Sequence, residues 1–171
     1  MRKGLLLPVL GLALSGCWMA APEGAHILVP DRLAVTWHAS FNAEDDGVGA
    51  VIPVDILVYE AGTGEPLAGV ALEISAESEG VEVLAEATRL QLELGEEPLD
   101  GDVWDVWQDG YYQLDEPAAE GTLDLMTDED GLARIYLYVD SFPEWEGDAW
   151  LPVGVLVSSR LEDVVFELVP R

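Results

Sequence analysis

The stretch "LARIYLYVD", residues 132–140, decides the fold class, because apolar and polar side chains alternate along it. One face of the extended chain carries Ala133, Ile135, Leu137 and Val139, and the other carries Arg134, Tyr136 and Tyr138. A period of two residues is typical of a β-strand with one face against a core. The segment therefore predicts a strand whose odd-numbered residues are buried.

The same period recurs along the chain. In "AVIPVDILVYE" (50–60) the apolar positions alternate again, and the in-strand Pro53 predicts a sheet edge or a bulge. Further segments of this kind are "LAVTWHASF" (33–41), "VALEISAE" (70–77), "ATRLQLELG" (87–95), "PVGVLVSS" (152–159) and "VVFELVP" (164–170). No segment shows a helical stripe of useful length. The pattern predicts an all-β chain, an antiparallel β-sandwich of about seven to eight strands.

One long insertion, at about residues 95–126, interrupts this rhythm. It contains a concentration of aromatic residues, namely Trp104, Trp107, Tyr111 and Tyr112. These side chains form either a satellite cluster folded over one sheet or an exposed face for a glycan or a protein, since Trp and Tyr are enriched at recognition hot spots. They are the candidate ligand-binding residues.

The charge of the chain restricts its partners. Asp and Glu number 34 against 7 Lys and Arg, which gives a formal net charge of −27. Such a surface repels phosphate, so a nucleic-acid partner is not expected. It fits a soluble, self-repelling surface, a high-salt habitat or weak binding of divalent cations.

The first sixteen residues have the plan of a secretory leader. Arg2 and Lys3 precede an apolar run at 4–14, and the small residues Ser15 and Gly16 follow it. The run is shorter than the roughly 20 residues of a spanning helix. The sequence from Leu14 to Cys17 resembles the lipobox of bacterial lipoproteins. That resemblance implies cleavage before Cys17, diacylation of its thiol and acylation of the new amino terminus.

The lipobox resemblance also implies an organisation and an address. Residues 1–16 are then the signal peptide, 17–25 a lipid-anchored tether, and 26–171 one domain that includes the insertion. Two or more acyl chains hold a protein stably on a bilayer, whereas one chain does so only marginally. We expect the protein at the bacterial cell envelope, on the outer membrane, with the lipid anchor at Cys17 as its link to the membrane.

Two passages resemble bacterial immunoglobulin-like domains of the invasin and intimin type. These are "EAGTGEPLAGVALEISAE" (60–77) and "TDEDGLARIYLYV" (127–139), and the closing "PVGVLVSSRLEDVVFELVP" (152–170) is similar to the last two strands of such domains. Transthyretin-like and carboxypeptidase-regulatory-like sandwiches share the first two passages. The resemblance implies an immunoglobulin-like β-sandwich with no catalytic residue. Within these passages, Gly64, Gly69 and Gly131 suit turns that need a positive φ.

Other candidate sites rest on carboxylates. The "TDEDG" passage does not fit a complete EF-hand loop and predicts a turn, but a looser calcium site could use Asp45, Asp46, Asp128 and Asp130. Asp102, Asp105 and Asp109 could serve a glycosidase. The sequence thus predicts a non-catalytic binding or structural module of the envelope, with an envelope protein or polysaccharide as partner and no cofactor beyond structural calcium. The alternatives are a glycan-acting enzyme of the envelope and a calcium-stabilised carbohydrate-binding adhesin.

Overall fold

The computed structural model describes residues 24–35, 48–93, 96–99, 102–105, 108, 110–114, 121–145, 149–160 and 162–171. These residues form fourteen strands: β1 (Ala25–Leu28), β2 (Arg32–Val35), β3 (Val48–Glu60), β4 (Ala71–Ala76), β5 (Val81–Leu84), β6 (Ala87–Arg89), β7 (Val103–Asp105), β8 (Gly110–Leu114), β9 (Thr122–Met126), β10 (Leu132–Val139), β11 (Glu144–Trp145), β12 (Ala149–Trp150), β13 (Val153–Ser158) and β14 (Asp163–Pro170). The all-β prediction is confirmed.

Two sheets form a sandwich-like arrangement. The first has seven strands in the order β5–β10–β3–β7–β8–β6, with β1 also on β3. The second has five strands in the order β2–β14–β13–β4–β9, and β11 pairs with β12 separately. Strand β3 is the central strand of the first sheet. It pairs with β10 from Ala50 to Leu57 along one side and with β1 and β7 on the other.

The apolar core lies between the two sheets and follows the predicted alternation. On β10, Ala133, Ile135, Leu137 and Val139 are all buried. They join one cluster with Ile56 of β3 and with residues of the second sheet, among them Val155 and Phe166. The core therefore uses the inward positions of both sheets, as the period of two requires.

Three sequence predictions about the strands need correction. There are fourteen strands in the described part of the chain, more than the seven or eight expected, because many are only two to four residues long and too short to show a period. The sandwich is not wholly antiparallel, since β2 runs parallel to β14 and β7 runs parallel to β3. Alternation reports which face a residue occupies and carries no information about strand direction.

The third correction concerns residues 87–126. The strand predicted at 87–95 ends at Arg89, and Leu92 is exposed. The insertion at 95–126 is not a plain loop, because it supplies β7 and β8 to the first sheet and β9 to the second. These strands are short and interrupted by polar residues, so their sequence resembles that of a loop.

Pro53 lies at a strand edge, as predicted. On the side of β3 away from β10, β1 covers Leu57–Glu60 and β7 covers only Val48 and Gly49. The amide of Val51 points to that side, where it meets a side chain of β7. Residue 53 is two positions further along the strand, so its backbone nitrogen points to the same side as that of Val51. Proline has no N–H to donate, and at this position no described strand is there to accept one.

The two passages that resemble immunoglobulin-like domains pack against each other. The buried Thr127 hydroxyl donates to the carbonyl of Leu67 at 2.7 Å and accepts from the amide of Val70 at 3.0 Å. Gly131 has a φ of 72°, and a Cβ there would lie 2.6 Å from the carbonyl oxygen of Val58. Glycine is therefore required at this turn by both conformation and space.

Candidate binding face on the β7–β8 hairpin

Strands β7 and β8 form a hairpin with two different faces. Val103 pairs with Tyr112, and Trp104 pairs with Tyr111. Because side chains alternate, Val103, Asp105 and Tyr112 share the inner face, while the Trp104–Tyr111 pair shares the outer face. The burial agrees, since the three inner residues are buried and the outer pair is half-buried.

The inner face builds a second apolar cluster on the side of the first sheet that faces away from the sandwich core. Its members are Val51, Leu84, Val103, Tyr112 and Tyr138. Tyr138 occupies a position that the alternation of β10 assigns to the outside, yet it is buried. The tyrosine ring approaches so closely that a Cβ on Gly49 would lie 2.3 Å from it. The β7–β8 hairpin thus buries part of the outer face of the first sheet.

Asp105 and Gln108 join the hairpin to the uncovered edge of β3. Asp105 is only 1% exposed; its carboxylate accepts from the amide of Val51 at 3.4 Å and from the amide of Gln108 at 3.2 Å. The Gln108 side-chain amide donates to the carbonyl of Val51 at 3.3 Å, and the Tyr112 hydroxyl donates to the Gln108 Oε1 at 2.6 Å. These side chains replace part of the missing strand pairing of β3.

The buried phenols have altered acidity. Burial raises the pKa of Tyr138 to about 12, with smaller contributions from the negative charges of Asp140 and Glu82. Burial also raises the pKa of Tyr112, and the Asp105 carboxylate adds to the shift. Glu82 pairs with Tyr138 across β5 and β10. Its pKa is raised by burial and then by Asp140.

The outer face carries a pair of aromatic rings in tilted contact. The rings of Trp104 and Tyr111 have centroids 4.8 Å apart and planes tilted by 55°. Aromatic pairs favour this separation, so the two rings hold each other in place. Both side chains are half-buried, so part of each is exposed at the surface of the hairpin.

The aromatic candidates therefore separate into two groups. Tyr112 belongs to the packed cluster, and Trp104 and Tyr111 belong to the outer face. Trp107 lies outside the described residues, as do Cys17, the predicted lipidation site, and Asp109. No sequence pattern marks Asp105 and Gln108 as structural links, although the outward tyrosines of β10 are a signal that something covers that face.

The carboxylate candidates for calcium are partly described. Asp128 accepts from the amides of Asp130 and Leu132, each at 2.9 Å, which is the geometry of a side-chain-supported turn. Asp45 and Asp46 lie outside the described residues. Within the described ranges, no three Asp, Glu, His or Cys side chains are grouped so that they could hold a metal ion.

Comparison with known proteins returns no match: no family model, curated protein or solved structure is significantly similar to the chain. The part of the chain that the structure describes contains no helix long and apolar enough to cross a membrane. The class that the geometry defines is an all-β protein of two facing sheets. Its most distinctive feature is a hairpin that is packed on one face and aromatic on the other.

Proposed function

We propose that this protein is a lipid-anchored, non-catalytic binding module of the bacterial cell envelope, held on the outer membrane through Cys17. Its partner is an envelope protein or polysaccharide, and the contact is made by the outer face of the β7–β8 hairpin. The observation that carries the binding role is the half-buried Trp104–Tyr111 pair, whose rings are in tilted contact. Paired aromatic rings offer a large, rigid contact area to sugar rings or to a protein.

The position of the pair in the fold supports this role. Gly24 lies at the Glu60 end of β3, where its carbonyl accepts from the amide of Ala61 at 2.7 Å. Trp104 pairs with Val48 at the opposite end of the same strand. A strand rises about 3.3 Å per residue, so the thirteen residues of β3 separate the two ends by roughly 40 Å. The aromatic pair thus lies at the end of β3 opposite Gly24, the described residue nearest in sequence to the proposed anchor.

The length of the tether limits how far the domain can move from the bilayer. Six residues lie between Cys17 and Gly24 in the sequence, and the seven steps from one to the other span at most about 25 Å. A domain held so closely presents its distant end to partners more readily than the end beside the membrane. The immunoglobulin-like class is part of the proposal, and it rests on the resemblance of residues 60–77, 127–139 and 152–170 to such domains.

The anchor is tested by producing the full chain and a Cys17→Ser variant in a bacterial host. The expected wild-type product sediments with membranes and begins at Cys17, with a mass increased by two or three acyl chains. The variant retains its leader or appears as a protein without lipid. A wild-type chain that is soluble and unmodified at Cys17 would contradict the anchor while leaving the hairpin open to its own test.

A further inference from the structure

Strand β9 forms an uncovered edge of the second sheet. It pairs with β4 alone, from Thr122 opposite Ser75 to Met126 opposite Ala71. The amide of Thr127 points towards β4, where it donates to Val70. By alternation, the backbone groups of Thr122, Asp124 and Met126 point away from β4. Among the described residues, no strand pairs with this side of β9.

The β9 edge has one of the features that protect natural edges, the charge of Asp124 at its centre. A negative charge opposes pairing with a neutral or acidic strand but favours pairing with a basic one. The sequence of β9, "TLDLM", contains neither proline nor lysine, and it pairs in a continuous register. Met126 is 65% exposed at the end of the strand. An edge of this kind is suited to accepting another strand.

Carboxylates line the surface beside this edge. Asp124 lies directly opposite Glu73 of β4, and the same row continues through Ser158 of β13 to Asp163 of β14. Like charges directly opposite each other in a sheet are destabilising. A cation placed beside them would relieve that repulsion. Arg160 is the basic residue that borders this surface.

Two hollows flank β9. One, of about 510 Å³, lies over the outer face, and Ala71, Glu73, Asp124, Met126 and Arg160 are among its lining residues. The other, of about 450 Å³, lies where β9 begins and is bordered by Thr122, Glu77, Glu79 and Glu82. Both hollows include residues of β9 in their lining. Five acidic residues would surround a strand added to β9.

We infer that the β9 edge binds an extended, basic segment of a partner protein, which adds to the second sheet as a sixth strand. The backbone groups of Thr122, Asp124 and Met126 supply the hydrogen bonds, and the carboxylates select lysine or arginine at alternate positions. A second copy of this chain is a poorer occupant, because two β9 strands paired about Asp124 would bring their aspartates together. This site is independent of the anchor and of the aromatic pair.

The test uses the full-length protein in detergent and fluorescent nine-residue peptides. A peptide of alternating lysine and valine is expected to bind, and its affinity should fall as salt is raised. A peptide of alternating glutamate and valine should not bind. Absence of binding by the lysine peptide, or equal binding by both, would overturn the inference.

Protein and peptide variants separate strand addition from simple charge attraction. Asp124→Pro removes both the charge and an edge amide that does not bond to β4, whereas Asp124→Asn removes the charge alone. The proline variant should therefore bind the lysine peptide about tenfold more weakly than the asparagine variant does. A second test uses wild-type protein and two lysine peptides, one N-methylated at its odd positions and the other at its even positions. Only alternate amides of an added strand face β9, so only the peptide whose β9-facing amides are free should bind. Equal binding by these two peptides, or a dimer that Asp124→Pro abolishes, would overturn the inference.

Discussion

The molecule contains two apolar clusters of different origin. The main core lies between the sheets and uses the inward positions of long strands such as β3 and β10. The second cluster lies on the other face of the first sheet and depends on the β7–β8 hairpin. The first is built from alternation over many residues, whereas the second adds strands of three to five residues and polar links to the outer face of β3 and β10. The difference indicates that the core defines the fold and that the second cluster positions the hairpin.

The largest expected effect is in the main core. Phe166 is fully buried, and Phe166→Ala should lower the free energy of unfolding by about 3–5 kcal/mol through lost burial and a residual cavity. Its neighbour Val165 is exposed, so Val165→Ala is the matched control and should change stability by less than about 0.5 kcal/mol. Denaturant unfolding measures both. Equal effects would mean that the faces of β14 are assigned wrongly.

The next effect concerns the second cluster at alkaline pH. The pKa of Tyr138 is about 12 in the fold, whereas an unfolded tyrosine has a pKa near 10. The fold therefore favours the neutral phenol of Tyr138. Its contribution to the free energy of unfolding is complete below pH 10 and is lost as the pH rises to 12. The loss corresponds to roughly 2–3 kcal/mol.

Unfolding measured across this pH range in wild type and Tyr138→Phe checks the prediction. The variant should show a smaller loss of stability between pH 10 and 12, because the shifted phenol is absent. Parallel curves for the two proteins would show that Tyr138 is not the buried group that titrates.

A smaller effect is expected from the link between the hairpin and β3. Asp105→Ala leaves the amide of Val51 without its carboxylate acceptor and should cost about 1–3 kcal/mol. Glu97 is exposed, so Glu97→Ala is a control for the loss of one negative charge. Hydrogen exchange at β7 and β8 should accelerate in the Asp105 variant, while exchange at β13 stays slow. Uniform acceleration would mean that the two clusters unfold as one.

The smallest expected effect is an increase in stability. The pKa of Glu82 is raised by burial and by Asp140, so ionised Glu82 opposes folding at neutral pH. Glu82→Gln should therefore raise Tm slightly at pH 7. The difference in Tm between the variant and wild type should shrink as the pH falls below the pKa of Glu82 in the folded protein, because Glu82 is then protonated. A variant less stable than wild type at pH 7 would contradict this.

Sequence alone accounts for the main core but not for the second cluster. The inward residues of β10 and the positive φ of Gly131 follow from local pattern and turn chemistry, because both depend on neighbouring residues. The hairpin depends on the contact of Val51 with Asp105, which are 54 residues apart. No period marks such a contact. For the same reason the aromatic residues could be located in the sequence but not divided between the two faces.

The central claim is that the two faces of the hairpin have separate tasks, and Trp104→Ala tests it most directly. Retention on isolated envelope fragments is measured with chains that begin at residue 18 and so carry no lipid, as wild type, Trp104→Ala and the inner-face control Tyr112→Phe, with Tm recorded for each. We predict that Trp104→Ala loses retention about tenfold or more with little change in Tm, while Tyr112→Phe keeps retention and loses some stability. Undiminished retention by Trp104→Ala would contradict the claim.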